Sequence, residues 1–172
     1  MNGGRLQGGA ARGSGCRAQG GGVLVDEGGL FVMNGGSIEN CWANGEGGGV
    51  YVASSGMFEM SGGSIEGCCA WINGGGVYVN TNGTFKMSGG TIRNNRLNER
   101  WGQEGAGVYV ANGATATLIP ENITGNTKKG SGETDNIVGS YEKYIPPVDP
   151  IDPDYPLISI LPVLAKDLPF AD

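Results

Sequence analysis

The chain has 172 residues, of which 35 are Gly and none is His, and its net charge is −6 at neutral pH. That balance excludes a basic nucleic-acid footprint, and the lack of His removes the commonest general base. Leu, Ile, Val and Phe are too few for a conventional globular core, and no apolar run approaches the ~20 residues of a membrane-spanning helix.

The first residues, Met1-Asn2-Gly3-Gly4-Arg5-Leu6, match Met33-Asn34-Gly35-Gly36-Ser37-Ile38 further along. The chain therefore reads as starting in the middle of a repeat, as a fragment of a longer protein with further coils. Cys16 falls in the long stretch before the first full block. Val23, Val50 and Val77 then open blocks 27 residues apart, and Val108 opens a fourth after 31. Each opening Val is followed by a second apolar residue two positions on: Val25, Val52, Val79 and Val110. Further along each block come Met33, Met60, Met87 and Leu118, then Ile38, Ile65, Ile92 and Ile123. Periods of this size mark stacked architectures.

Within a block, alternation around Val23/Val25 and Phe31/Met33 reads as two short half-buried strands. Ser37-Ile38-Glu39 and its counterparts read as a third. The pairs Gly35-Gly36, Gly62-Gly63 and Gly89-Gly90 read as sharp corners between them, since glycine tolerates positive φ. Such a block buries its few apolar side chains only if the next block stacks on it. Stacking sets Val on Val, Phe31 on Phe58 on Phe85, and Met on Met, at the ~4.8 Å spacing of neighbouring strands. The fold class expected is all-β: a right-handed parallel β-helix of four to five coils. Glycine at this density excludes helical repeats.

The fourth block is degraded, with Gly105-Ala106-Gly107 for the triple Gly, Ala116 for Phe and Pro120-Glu121 for the Gly pair, as in a terminal coil. Seven of the eight prolines follow residue 145. The expected organisation is therefore a solenoid over 1–140, a Pro/Asp-rich linker over 141–157, and an apolar tail over 158–172.

The string GGGVYV…GxFxMSGGxIxxN resembles the right-handed β-helix repeats of bacterial surface proteins. These are adhesin-like proteins and polymorphic outer-membrane proteins of the autotransporter type, in the pectin-lyase-like superfamily. The resemblance covers about residues 1–127. It implies a secreted or cell-surface location, host or matrix glycans or surface proteins as partners, and a role in presenting an elongated surface. It also implies Asn after the third strand, as at Asn95 and Asn126; Cys41 and Cys68 stand there in the earlier coils.

Four groups of candidate site residues follow from the columns. Tyr51, Tyr78 and Tyr109 flank inward valines and so face outward as an exposed column, read either as a contact platform or as a stacking ladder. Trp42, Trp71 and Trp101 lie at the variable corner, as ligand contacts or as its cover. Cys41 and Cys68 stack at a spacing compatible with a disulfide, and equally with two small buried residues. Glu39 and Glu66 are similar positions one rung apart, with Arg93 next in their column and Glu59 and Lys86 pairing in another. They read as a solvated face, not an acid/base pair. Asp26 is the only Asp before residue 135. No catalytic residue, metal site or cofactor is expected. A carbohydrate-active β-helix fragment and a plain structural spacer are the alternative readings.

Overall fold

The computed structural model describes residues 1–7, 9–11, 19–98, 103–128 and 132–147. It is a parallel β-solenoid of about 4 turns. Three sheets form its walls. The valine wall is built of Val23–Val25, Val50–Val52, Val77–Val79, Val108–Val110 and Ile137–Val138. The long wall contains Asn2–Gln7, Leu30–Met33, Gly35–Glu39, Met57–Glu66, Thr84–Arg93, Thr115–Leu118, Ile123–Thr124 and Glu142–Lys143. The short wall contains Ala10–Ala11, Trp42–Ala43, Cys69–Ala70, Arg96–Leu97 and Thr127–Lys128. Among the described residues every strand pair is parallel, and identical positions stack from coil to coil: Val23 on Val50 on Val77, Phe31 on Phe58 on Phe85, Ile38 on Ile65 on Ile92.

The core is the set of columns expected from the repeat. Val50, Val52, Phe58, Met60 and Ile65 and their counterparts one coil on are buried and form one continuous cluster. Phe58 and Phe85 stack at 4.7 Å between ring centroids, 3° from parallel. Like-on-like stacking at rung spacing gives the van der Waals contact that a thin core needs.

Two features differ from the sequence reading. The short wall is an additional set of strands, made of two-residue segments after the third expected strand. The glycine pairs, expected to end strands, lie inside the continuous strands Met57–Glu66 and Thr84–Arg93. There the register slips between Met87 and Gly89 and again between Gly89 and Thr91. Gly63 and Gly90 take φ of 88° and 85°. The wall thus bends through a bulge without breaking its ladder. The paired sheet also extends through Glu142–Lys143, which pairs with Thr117–Leu118 beyond residue 140.

The triple glycine has a steric cause. A Cβ on Gly48 would stand 2.5 Å from the Cys69 carbonyl carbon and 2.4 Å from the Gly75 oxygen. Gly21 meets Trp42 and Gly75 meets Arg96 in the same way. At Gly21, Gly48 and Gly75 two backbones lie directly against each other with no room for a side chain, whereas the last triple carries a buried Ala106 at the same place. The third glycine of each triple leaves room for the corner residue: a Cβ on Gly76 would lie 2.9 Å from Asn95 Nδ2, and one on Gly49 3.3 Å from Cys68 Sγ.

That corner residue forms a ladder. Asn95 Nδ2 donates to Ile65 O at 3.0 Å, while Asn95 Oδ1 accepts from the Cys68 N–H at 2.9 Å. One rung on, Asn126 Nδ2 donates to Ile92 O, and Asn126 Oδ1 accepts from the Asn95 N–H. Both side chains are fully buried, and each satisfies backbone groups that the turn takes out of the strand ladder.

Gly48→Ala is expected to destabilise the solenoid by about 3 kcal/mol or more, because the obstacle is backbone and cannot repack. Asn95→Ala is expected to cost about 1–3 kcal/mol by orphaning buried amide and carbonyl groups. Urea unfolding followed by circular dichroism checks both; an unchanged midpoint for either variant contradicts the assignment.

Candidate functional site

The outward side chains of the long wall build the best-defined concave surface among the described residues, a groove of about 400 Å³. One column on it is Val32, Glu59, Lys86 and Thr117, set in register by the strand pairing. A second is Asn34, Ser61 and Ser88, the residues that precede the glycine pairs. Tyr144 closes the far end. Its N–H donates to Leu118 O at 2.7 Å, which anchors the ring beside the last full coil.

The groove is mostly apolar and nearly neutral, with hydroxyl and amide groups and one ion pair set into it. Glu59 and Lys86 pair at 3.7 Å, with side chains 41% and 54% exposed. Ser61 Oγ donates to Asn34 Oδ1 at 2.7 Å, and Asn34 Nδ2 donates to Asn2 Oδ1 at 2.9 Å. Hydroxyl and amide groups therefore repeat along the solenoid axis at strand spacing, with an aromatic face at one end.

The carboxylates beside this wall are held in ion pairs. Glu66 Oε2 meets Arg93 at 2.8 Å and also accepts from Arg93 Nε. Glu39 accepts from Arg5 Nε at 2.8 Å. Hydrogen bonds from Arg5 and then Ser37 hold the Glu39 carboxyl below its ordinary range. A general acid needs the opposite displacement. Among the described residues no three His, Cys, Asp or Glu side chains come together as a metal site.

The tyrosine column is where the columns place it but not as exposed as expected. Tyr51 is 6% exposed, and Tyr78 and Tyr109 are half-buried. The rings stack at 5.2 Å, 7° and 2° from parallel, so each covers its neighbour's face. The glycine turn before the valine strand also closes on them: a Cβ on Gly47 would stand 2.8 Å from Tyr51 Cβ. Only ring edges are presented. Burial, then the nearby Glu46 carboxylate, raises the phenol pKa of Tyr51 and carries that of Tyr78 up to about 12.

Trp42 and Trp71 meet edge to face at 5.9 Å, both half-buried. Gln103 Nε2 donates to Trp71 O, so this pair covers the corner together with the loop. Trp101 and Cys16 lie outside the described residues. The disulfide reading for Cys41 and Cys68 is not realised: both are buried thiols. Both stand in the turn between strands, where Cys68 Sγ donates to Glu66 O at 3.5 Å and to Ile38 O at 3.7 Å. The Cys68 thiol is pushed well above its ordinary pKa, first by its hydrogen bond with Cys41 and then by burial.

Of the groove residues, sequence alone picks out Glu59 and Lys86, as a solvated face; it gives Asn34, Ser61 and Ser88 no role and places Tyr144 in the linker. The signal was present in the repeat, since all three occupy one small-polar column. Among the described residues no helix is long and apolar enough to cross a membrane. Comparison with protein-family models, with curated proteins and with solved structures found no match.

In a spectrophotometric titration Tyr51 and Tyr78 are expected to ionise late, with Tyr78 near pH 12. Its folded pKa lies above the unfolded value of about 10, so its contribution to stability is complete below pH ~10 and is lost as pH rises through the folded value. Ionisation of Tyr78, assigned from the difference between wild type and Tyr78→Phe, at the pKa of unfolded tyrosine while circular dichroism still reports strand contradicts the stack.

Proposed function

We propose that this chain is a non-catalytic segment of a secreted or cell-surface β-helix protein of the adhesin-like type. It presents the long wall as an interaction surface, and the groove binds a neutral glycan strand laid along the solenoid axis. The groove's columns carry the reading: Asn34, Ser61 and Ser88 offer hydroxyl and amide groups on successive rungs, and Tyr144 offers a ring face at the end. Repeated small polar groups with an aromatic stop suit a polymer of repeated hydroxyls. Charged partners are less favoured, since Glu59 and Lys86 compensate each other. The bacterial surface-protein resemblance of the repeat supports the location.

The alternative, a piece of a carbohydrate-active enzyme, would bind the same ligand class. It draws less support, because Glu39 and Glu66 are tied to guanidinium groups. A structural spacer would bind nothing.

Glycan-array screening followed by calorimetry tests this. Tyr144→Ala and the double variant Ser61→Ala/Ser88→Ala are expected to weaken binding at least tenfold, or about 1.4 kcal/mol, with unchanged melting temperatures. Tyr78→Ser is expected to lower the melting temperature and leave binding intact. Binding that survives the groove variants and is lost in Tyr78→Ser moves the site to the valine wall. No binding to any glycan leaves the spacer reading.

A further inference from the structure

We propose, building on the glycan reading above, that the long-wall groove takes an unbranched β-1,4-linked ribbon of all-equatorial hexopyranoses, with one sugar on each rung. Glucose and N-acetylglucosamine chains share that chemistry. The ground is a match of periods. Val32, Glu59, Lys86 and Thr117 stand on successive rungs of one column, and strand pairing sets rungs ~4.8 Å apart. Asn34, Ser61 and Ser88 follow Met33, Met60 and Met87, which pair rung to rung, and so form the neighbouring column. Ser61 Oγ reaches Asn34 Oδ1 at 2.7 Å, which joins two of its rungs. A β-1,4-linked chain of equatorial sugars is extended, and each sugar advances it by close to one such spacing. Chain and wall stay in step along the groove. An α-1,4 chain coils and a β-1,3 chain curves, so their sugars leave the columns.

Successive sugars of the ribbon are turned over. Each edge therefore alternates between ring hydroxyls and the hydroxymethyl group. A column that meets such an edge needs groups able both to donate and to accept on every rung. The Asn amide and the Ser hydroxyl do both.

The cross-section agrees. The floor of the groove is strand backbone at Met60 and Met87, whose side chains turn inward and are buried. The peptide groups there belong to the strand ladder, so the floor offers a ligand few polar groups. An all-equatorial pyranose carries C–H bonds on both faces and hydroxyls around its rim. Laid flat, it sets a C–H face on the floor and its hydroxyls toward Asn34, Ser61 and Ser88 on one flank and Glu59 and Lys86 on the other. An axial hydroxyl, as in galactose or mannose chains, would be pressed against the floor or lifted away from the flanks. Glu59 and Lys86 pair at 3.7 Å and give that flank an acceptor and a donor without net charge. A ribbon of uronic acids would instead bring carboxylates beside Glu59.

The columns also set the length. Val32, Glu59, Lys86 and Thr117 give four rungs. Tyr144 follows Lys143, which pairs with Leu118, and so stands on the rung after them.

Calorimetric titration of the whole chain with oligosaccharides of two to six sugars tests the ribbon. Cello- and chito-oligosaccharides are the probes, and α-1,4 malto- and β-1,3 laminari-oligosaccharides of equal length are the comparison. Affinity for a β-1,4 series is expected to rise with each sugar to about four or five and then level off. The four-sugar β-1,4 chain is expected to bind at least about tenfold more tightly than its α-1,4 and β-1,3 counterparts. The tighter of the two β-1,4 series tells a glucose ribbon from an N-acetylglucosamine ribbon. Ser61→Arg, at an exposed position, blocks the second rung; with an unchanged circular dichroism spectrum, its gain in affinity is expected to stop at about two sugars. Equal affinity for α-1,4 chains, or affinity independent of length, overturns the ribbon and leaves the broader glycan reading standing. A full gain with length in Ser61→Arg overturns it as well, by placing the chain elsewhere on the wall. Failure to bind any glycan overturns the ribbon together with the reading beneath it.

Discussion

The solenoid depends on the direct approach of two backbones along one edge. Gly21, Gly48 and Gly75 lie on the carbonyls of Trp42, Cys69 and Arg96 with no side chain between them. Contact at this distance excludes water as well as Cβ atoms, so every polar group there needs a partner within the protein. The glycine amides find theirs in the next coil, as Gly48 N–H does on Gly74 O and Gly49 N–H on Gly76 O. The coil is thereby held narrow at one edge. Its opposite side is left just wide enough for one Phe, one Met and one Ile per rung. Glycine in such number is costly in conformational entropy, and repetition offsets that cost because each rung is satisfied by its neighbours.

What lies around the pinch follows from it. The valine strands emerge from the glycine turn with their side chains aimed at Phe58, Met60 and Ile65. Asn95 and Asn126 fill the corner that Gly76 and Gly107 leave open, and they take up amides that no strand reaches. The tyrosines, on the outer side of the valine strands, are pressed into a stack by the same turn. Outward-facing position on a strand therefore did not mean exposure. The surface left for contact is the long wall, where no turn folds back.

Columns that repeat one residue type were legible from sequence: valines, Phe31/Phe58/Phe85, the methionines and the isoleucines. The short wall was not, because its strands have only two residues and the one type they share, alanine at Ala11, Ala43 and Ala70, does not mark a strand. Trp42–Ala43, Cys69–Ala70 and Arg96–Leu97 are held by backbone pairing and by the glycines opposite, and neither leaves a side-chain pattern. The glycine pairs misled in the other direction, since a bulge and a strand end use the same residues. The groove escaped because its aromatic wall, Tyr144, comes from outside the repeat. The two cysteines illustrate a further limit: equal spacing along the sequence gave their adjacency but not their state as buried thiols in the turn after Glu39 and Glu66.

Those thiols give the molecule a built-in clock. Cys41 and Cys68 are 1% and 0% exposed and belong to the first two full coils, while the same corner in the later coils carries asparagine. An alkylating reagent can reach them only when those early coils part from their neighbours. The rate of modification at Cys41 and Cys68, separated from Cys16 and Cys69 by peptide mapping, therefore measures opening of those coils without an introduced label. Protection of the Asn126 amide, which is bonded to Asn136 Oδ1, reports on the other end, so the order in which the rungs separate can be read from a single unmodified sample.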